Sequence, residues 1–212
     1  MEEIKLENAG KKIKDRWIFK DVSATFSKGN IYGLIGKNGS GKTMLLRSIC
    51  GLTPITSGII TVEGKRVGVD IDIPDSVGVI IEVPGFLYSE SGFKNLKYLA
   101  GIRQIIDDQE VKKTMEKVGV DPESKKRVGK YSLGMRQRLG IAQAIMENPN
   151  ILLLDEPMNG LDTDGVAIVK NILKDMRDRG KTIVLASHYM EDIAELCDSV
   201  YLMENGSMSK NS

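Results

Sequence analysis

The stretch "IYGLIGKNGSGKTMLLRSIC", Ile31 to Cys50, decides how the chain is read. Five apolar or small residues form a short run without polar alternation, the pattern of a strand buried on both faces. A loop with three glycines follows, and after it "TMLLRSIC" reads as a helix. The loop itself, "GKNGSGKT" from Gly36 to Thr43, fits G-x-x-x-x-G-K-[ST] throughout, with a strand before it and a helix behind it. Glycines let successive backbone N–H groups converge on phosphate oxygens with no side chain in the way. The helix start adds partial positive charge. Gly36, Asn38, Gly39, Ser40, Gly41 and the amide of Met44 are therefore expected around a polyphosphate. Lys42 is placed to reach its outer phosphates, and the Thr43 hydroxyl to bind Mg²⁺.

Outward from this loop, two further buried runs predict parallel strands: "ILLLDEP", starting at Ile151, and "TIVLASH", ending at His188. Each ends on polar chemistry. Carboxylates at strand ends lie where open α/β sheets bind ligands. Asp155 is read as a metal ligand acting through water. Glu156, one residue on, points elsewhere and is read as the base that polarises a water toward the terminal phosphate. His188 is the single histidine, and its place at the same sheet edge suggests contact with that phosphate.

Upstream, Ile4 to Glu7 and "DVSATF" alternate apolar and polar residues, as half-exposed strands do. "GIITVEGKRV" predicts a hairpin turning at Glu63-Gly64. "SVYLMENGSMS" predicts another turning at Asn205-Gly206, a type I′ pair. Between them, helices are expected over "FKNLKYLAGIRQII", "EVKKTMEKVGV", Met135 to Glu147, and Val166 to Arg179, with Gly119 and Gly180 as stops. The expected fold is α/β: a phosphate-loop NTPase core with a mostly parallel sheet, an N-terminal antiparallel β-subdomain and an inserted α-helical subdomain. The division expected is 1–82 with 150–212 for the core and about 83–149 for the helices, within one domain of 212 residues.

Composition narrows the partners. Thirty Lys+Arg against 29 Asp+Glu leave a net charge of +1, so no global basic field argues for nucleic acid or an anionic membrane. Cys50 and Cys197 lack metal-ligand or redox spacing and read as free thiols in a reducing compartment. The start "MEEIKLENAG" has no signal-peptide pattern, and no apolar run approaches a membrane span. The expected location is the cytoplasm.

Four pieces stand in order: "GKNGSGKT", "YSLGMRQRLGIA", "ILLLDEP" and "LASH", with "NGLD" (Asn159 to Asp162) as a fifth. Together they resemble the ATP-binding subunit of ABC transporters over nearly the whole chain, about Ile4 to Gly206. The resemblance implies ATP and Mg²⁺ as cofactors, Lys42 in the phosphate loop, Asp155 as metal ligand, Glu156 as general base and His188 as the switch histidine. It also implies a second copy or a homologous ATPase subunit. Ser132 and Gly134 would contact the nucleotide held by that copy, with Asp162 in the loop crossing between the two. Taken alone, Ser132 reads as the N-cap of an amphipathic helix, which is compatible with that role.

Departures from the family pattern carry information too. Tyr131, Leu133 and Met135 stand where Leu, Gly and Gln are usual. Glu82, in "IIEVPGF", stands where a glutamine usually senses metal and γ-phosphate. A carboxylate there can bind Mg²⁺ or a water but adds negative charge beside phosphates. That variant resembles exporters linked to lantibiotic and bacitracin-type resistance, which suggests export of a peptide or antimicrobial. The position that often stacks an aromatic on adenine aligns with Ile13, with Trp17 nearby but out of register. A separate transmembrane permease is implied, docking around Val83 to Phe93, and the chain would then sit on the cytoplasmic face of the membrane through it. Two rival readings remain at this level. An ABC-type ATPase acting on nucleic acid or the ribosome would need an inserted coiled coil or a second ATPase half. A non-catalytic subunit would not need Glu156 and His188.

Overall fold

The computed structural model describes residues 2–82 and 84–211. In chain order the elements are β1 (Glu2–Ile13), β2 (Arg16–Ser27), β3 (Ile31–Ile35), α1 (Lys42–Ile49), β4 (Ser57–Val62), β5 (Lys65–Arg66), β6 (Val77–Ile80), α2 (Gly92–Arg103), α3 (Asp108–Lys117), α4 (Leu133–Ile145), β7 (Ile151–Asp155), α5 (Thr163–Asp178), β8 (Thr182–Ala186), α6 (Met190–Leu196), β9 (Ser199–Glu204) and β10 (Ser207–Asn211). Two sheets form. A four-stranded antiparallel sheet runs β2-β1-β4-β5. A six-stranded sheet runs β10-β9-β3-β8-β7-β6. In the larger sheet the pairs β9/β3, β3/β8, β8/β7 and β7/β6 are parallel, and only the edge strand β10 is antiparallel.

The continuous apolar runs are explained by this central sheet. Leu152 and Leu154 of β7, with Ile183 and Leu185 of β8, pack into the cluster under the helices. Their alternating neighbours Ile151, Leu153, Val184 and Ala186 join the cluster shared with the antiparallel sheet. A strand covered on both faces has no place for polar alternation. The antiparallel sheet needs only one apolar face, so Ile4 and Leu6 are buried while Glu7 is exposed. Both predicted hairpins form: Val62 pairs with Lys65, and Glu204 with Ser207. Their turn residues Glu63-Gly64 and Asn205-Gly206 have positive φ throughout, as a type I′ turn requires.

The predicted helices form with adjusted ends. Val111, Met115 and Val118 are fully buried along one side of α3 and just beyond it. In α5, Val169, Leu173 and Met176 are buried, and Val166 packs against the same cluster. The helix expected to run on to Ile106 stops at Arg103. Gln104 takes left-handed angles (φ 54) there, and its amide bonds back to the Ala100 carbonyl. Asp107 then caps α3 by accepting from the Glu110 amide. The short helix α6 has no expected counterpart, because seven residues carry too little periodicity to be read. Cys50 and Cys197 are both free thiols, and burial pushes the Cys197 thiol up to about 12.

Candidate functional site

Four of the parallel strands deliver polar groups to one sheet edge. β3 opens into the phosphate loop, β7 ends at Asp155, β8 is followed by Ser187 and His188, and β6 is followed by Glu82. This is the edge where open α/β sheets take ligands. Backbone bonds stitch the loops to neighbouring strands: the Glu156 amide donates to the Ala186 carbonyl (2.8 Å) and the Ser187 amide to the Leu34 carbonyl (3.2 Å).

The phosphate loop is shaped by its glycines. Gly41 sits at φ 107 and caps α1 without any side-chain bond, so the first amides of that helix stay open toward the loop. At Gly36 (φ 150) a Cβ would run into the Met203 carbonyl and lie 2.8 Å from Ser40 Oγ. Gly39 (φ 79) faces open space. Lys42 is only 6% exposed, and its ammonium folds over the loop, donating to the carbonyls of Gly36 (2.7 Å) and Lys37 (3.3 Å). Ser40 Oγ is buried with no partner. A buried hydroxyl beside open helix amides is a costly arrangement that an anion would relieve. Gly36 to Ser40 line a cleft of about 800 Å³ together with Arg16, Trp17, His188 and the β9–β10 turn. Met44 is placed differently by its side chain, which packs into the cluster beside the antiparallel sheet and leaves only its backbone at the helix start.

Thr43 and Asp155 meet across the sheet edge. The threonine hydroxyl donates to Asp155 Oδ2 at 2.5 Å. Burial raises the Asp155 carboxyl; the Thr43 bond opposes this, and the nearby negative charge of Glu156 adds to it. Two hard oxygens side by side, one of them on a carboxylate made reluctant to ionise, suit a small divalent cation. Among the described residues no group of three or more His, Cys, Asp or Glu side chains could hold a metal. That donor set matches Mg²⁺, which uses one or two protein oxygens and completes its shell with phosphates and water.

Glu156 and His188 form a pair next to this site: His188 Nδ1 lies 2.8 Å from Glu156 Oε1. Glu156 holds left-handed angles (φ 48), and its Oε2 is buried without a partner. Strain of that kind in a non-glycine residue marks a site whose geometry is fixed by its surroundings. The His188 ring stacks on Tyr189 with centroids 4.0 Å apart.

Ser132 caps α4, its hydroxyl accepting from the Met135 amide at 3.2 Å. Gly134, just inside the helix, lies against the loop 159–162: a Cβ there would be 2.9 Å from the Gly160 carbonyl. Asp162 caps α5 through the Gly165 amide and pairs with Arg138 at 2.5 Å, which together hold its carboxyl below the ordinary range. The three departures from the family pattern have local reasons. Tyr131 is buried beside Gly92, Leu133 covers Gly160, and Met135 packs against the helical cluster.

Several placements were not legible beforehand. Glu82 takes left-handed angles (φ 61) and pairs with Arg47 of α1 at 3.1 Å, rather than with Thr43 or Asp155. Trp17, not Ile13, lines the cleft. Its ring lies near Gly10, with the ammonium groups of Lys12 and Lys20 at 6.0 and 5.6 Å from the centroid. Gln137 of α4 donates to the carbonyls of Glu156 (3.3 Å) and Pro157 (3.0 Å). A helical offset from Thr43 to Arg47 was the one available signal for Arg47. Of the expected docking stretch, Val83 lies outside the described residues. Phe86 and Phe93 pack against the helical cluster, while Leu87 and Tyr88 are each 54% exposed.

A cleft lined by the phosphate loop and His188, with the Thr43–Asp155 and Glu156–His188 pairs at the same sheet edge, fits an ATP-hydrolysing cassette, and the chain belongs to the family described as ABC transporter, matched over residues 19–159. ATP-binding cassettes of this family bind ATP and hydrolyse it to power transport. The chain is 48% identical over 203 residues to the ABC transporter ATP-binding protein YybJ of Bacillus subtilis, covering 96% of this chain and 93% of that one. It is 38% identical to the bacitracin transport ATP-binding protein BcrA of Enterococcus faecalis, covering 96% of this chain and 67% of the relative. With the lantibiotic transport ATP-binding protein SrtF of Streptococcus pyogenes the identity is 34%, covering 96% and 87%. The fold matches a solved ATP-binding subunit of an ABC transporter (TM-score 0.88, 22% identity, 99% of this chain and 90% of the other). It also matches a dimeric bacterial ABC transporter cassette (TM-score 0.86, 21% identity, 98% of each). Among the described residues no helix is long and apolar enough to cross a membrane.

Proposed function

We propose that two copies of this chain, or one copy and a homologous subunit, close head-to-tail over two MgATP molecules and drive a separate permease that exports a peptide-like antimicrobial. The observation that carries the reading is the juxtaposition at one sheet edge of Thr43–Asp155 with Glu156–His188, beside a loop built for phosphates. In this reading Thr43 and Asp155 hold Mg²⁺, which when bound would neutralise charge on the phosphates. Lys42 exchanges its loop carbonyls for phosphate oxygens. Glu156 accepts a proton from the attacking water through the oxygen that lacks a partner, and His188 holds the other carboxylate oxygen in place. Ser132 and the Gly134 amide close on the γ-phosphate from the opposite copy, with Asp162 at the seam.

The stretch 83–149 acts as the helical subdomain that carries Ser132 and Gly134, with 1–82 and 150–212 as the ATP-binding core. The exposed pair Leu87 and Tyr88 supplies the apolar contact for a permease helix at the cytoplasmic face of the membrane, while Phe86 and Phe93 hold that segment to its own helices. Peptide export is supported by the likeness to bacitracin and lantibiotic transport proteins.

One experiment tests the core of this. Glu156→Gln keeps the shape of the side chain and removes its basicity. Hydrolysis should fall by about 10²–10⁴-fold, the usual contribution of a positioned base. The variant should accumulate as a dimer in the presence of MgATP by sedimentation velocity. A variant that stays monomeric and still turns over at the wild-type rate would sink the reading.

A further inference from the structure

Arg47 belongs to none of the motifs that define the site. It stands on α1 four residues after Thr43, on the same face one turn on. Its Nη1 lies 3.1 Å from Glu82 Oε1. Its Nε donates to Thr53 Oγ1 at 3.4 Å, and the Thr53 amide donates back to the Arg47 carbonyl at 3.2 Å. The turn after α1 thus aims the guanidinium at Glu82. Glu82, two residues beyond the end of β6, itself holds left-handed angles (φ 61).

Arg47 brings a positive charge to Glu82, in a pair that is partly open to solvent. The negative charges of Glu156 and, more weakly, Glu82 both act on the Asp155 carboxyl. Lys42 is the one cation of the phosphate loop that acts on the same carboxyl. A glutamine at position 82 would add no charge; a glutamate opposes the phosphates that the loop has to bind.

We infer that Arg47 is a positioning residue that neutralises Glu82 beside the phosphate site, and so permits a carboxylate to stand where ATP phosphates and Mg²⁺ must approach. The inference rests on the reading that MgATP occupies the loop. Its signature is conditional: Arg47 matters to nucleotide affinity only while residue 82 is charged.

Calorimetric titration of the whole chain with MgATP, across a double-mutant cycle, reads that condition directly. Arg47→Ala should weaken binding by about tenfold, what one partly screened unit charge at short range gives. Raising the salt should shrink this deficit. In a Glu82→Gln background the same change should shift Kd by less than about threefold. Arg47→Lys, which keeps the charge, should stay near the wild-type affinity. If Arg47→Ala loses its cooperative thermal transition, Arg47→Gln, with a longer stem, takes its place in the cycle. Equal losses in the wild-type and Glu82→Gln backgrounds would overturn the inference, since Arg47 would then act through a contact of its own. Failure of the wild-type chain to bind MgATP would overturn the functional reading itself, and is told apart by the first titration.

Discussion

Ser132→Ala separates the capping role that the Ser132 hydroxyl holds from the phosphate-contacting role proposed for it. As an N-cap, Ser132 accepts a single bond of 3.2 Å from the Met135 amide at an exposed helix start. The rest of α4 is anchored by Leu139, Ile141, Ala142 and Ala144, all buried. Removing the cap should therefore cost about 0.5–1 kcal/mol, toward the low end of measured caps. For a chain of this size that lowers the thermal midpoint by about 1–4 °C. In the proposed role of phosphate ligand to the other copy, the same hydroxyl would make a hydrogen bond to a charged group worth about 1.5–3 kcal/mol. A symmetric dimer contains two, so the ATP-bound dimer should weaken by about 10²–10⁴-fold. The assay is sedimentation velocity with MgATP, comparing Glu156→Gln with the double variant Ser132→Ala/Glu156→Gln, and thermal melting of both without nucleotide. A small melting shift with a large loss of dimer is expected. A dimer that weakens by no more than the monomer's own stability loss would show that Ser132 is a cap alone.

Two further outcomes follow from the packing and the charges. Leu154→Ala, in the strand that delivers Asp155 and at a position only 1% exposed, should cost about 2–5 kcal/mol in urea unfolding; a cost under about 1 kcal/mol would mean that the sheet relaxes around it. Glu195 of α6 is bonded to Lys170 and Lys174 of α5, which hold its carboxyl down to about 2 against an ordinary 4.5. A depressed carboxyl adds stability above its unfolded value, and loses it as pH falls from about 4.5 toward 2. Glu195→Gln should flatten that part of the acid-melting profile. The difference should be modest and salt-sensitive because the pair is exposed; an unchanged profile would refute it.

The parts of the fold that could be read in the sequence are those where one physical constraint dominates. Strands buried on both faces cannot alternate, so β3, β7 and β8 announced themselves as continuous apolar runs, and each handed its next polar residue to the same edge. Turns needing positive φ selected Glu63-Gly64 and Asn205-Gly206. What stayed hidden depends on contacts between distant segments. Nothing in "IIEVPGF" says that Glu82 will meet Arg47, thirty-five residues upstream. β1 pairs with β2 through register shifts on either side of Lys11, with Lys12 opposite Trp17, and it is Trp17 rather than Ile13 that lines the cleft. Gln137 sits inside the stretch "YSLGMRQRLGIA", yet its bonds to the carbonyls of Glu156 and Pro157 appear only when α4 packs against the sheet at β6.

Gln137, a little further along the helix that Ser132 caps, donates to the backbone carbonyl of Glu156, the residue proposed as the base. In a head-to-tail pair, each subunit's hand on its neighbour's fuel is fastened to its own trigger. In the proposed pair, disturbing the nucleotide in one chamber should therefore shift the geometry around Glu156 in the other. A mixed pair with a single disabled glutamate should run below half speed.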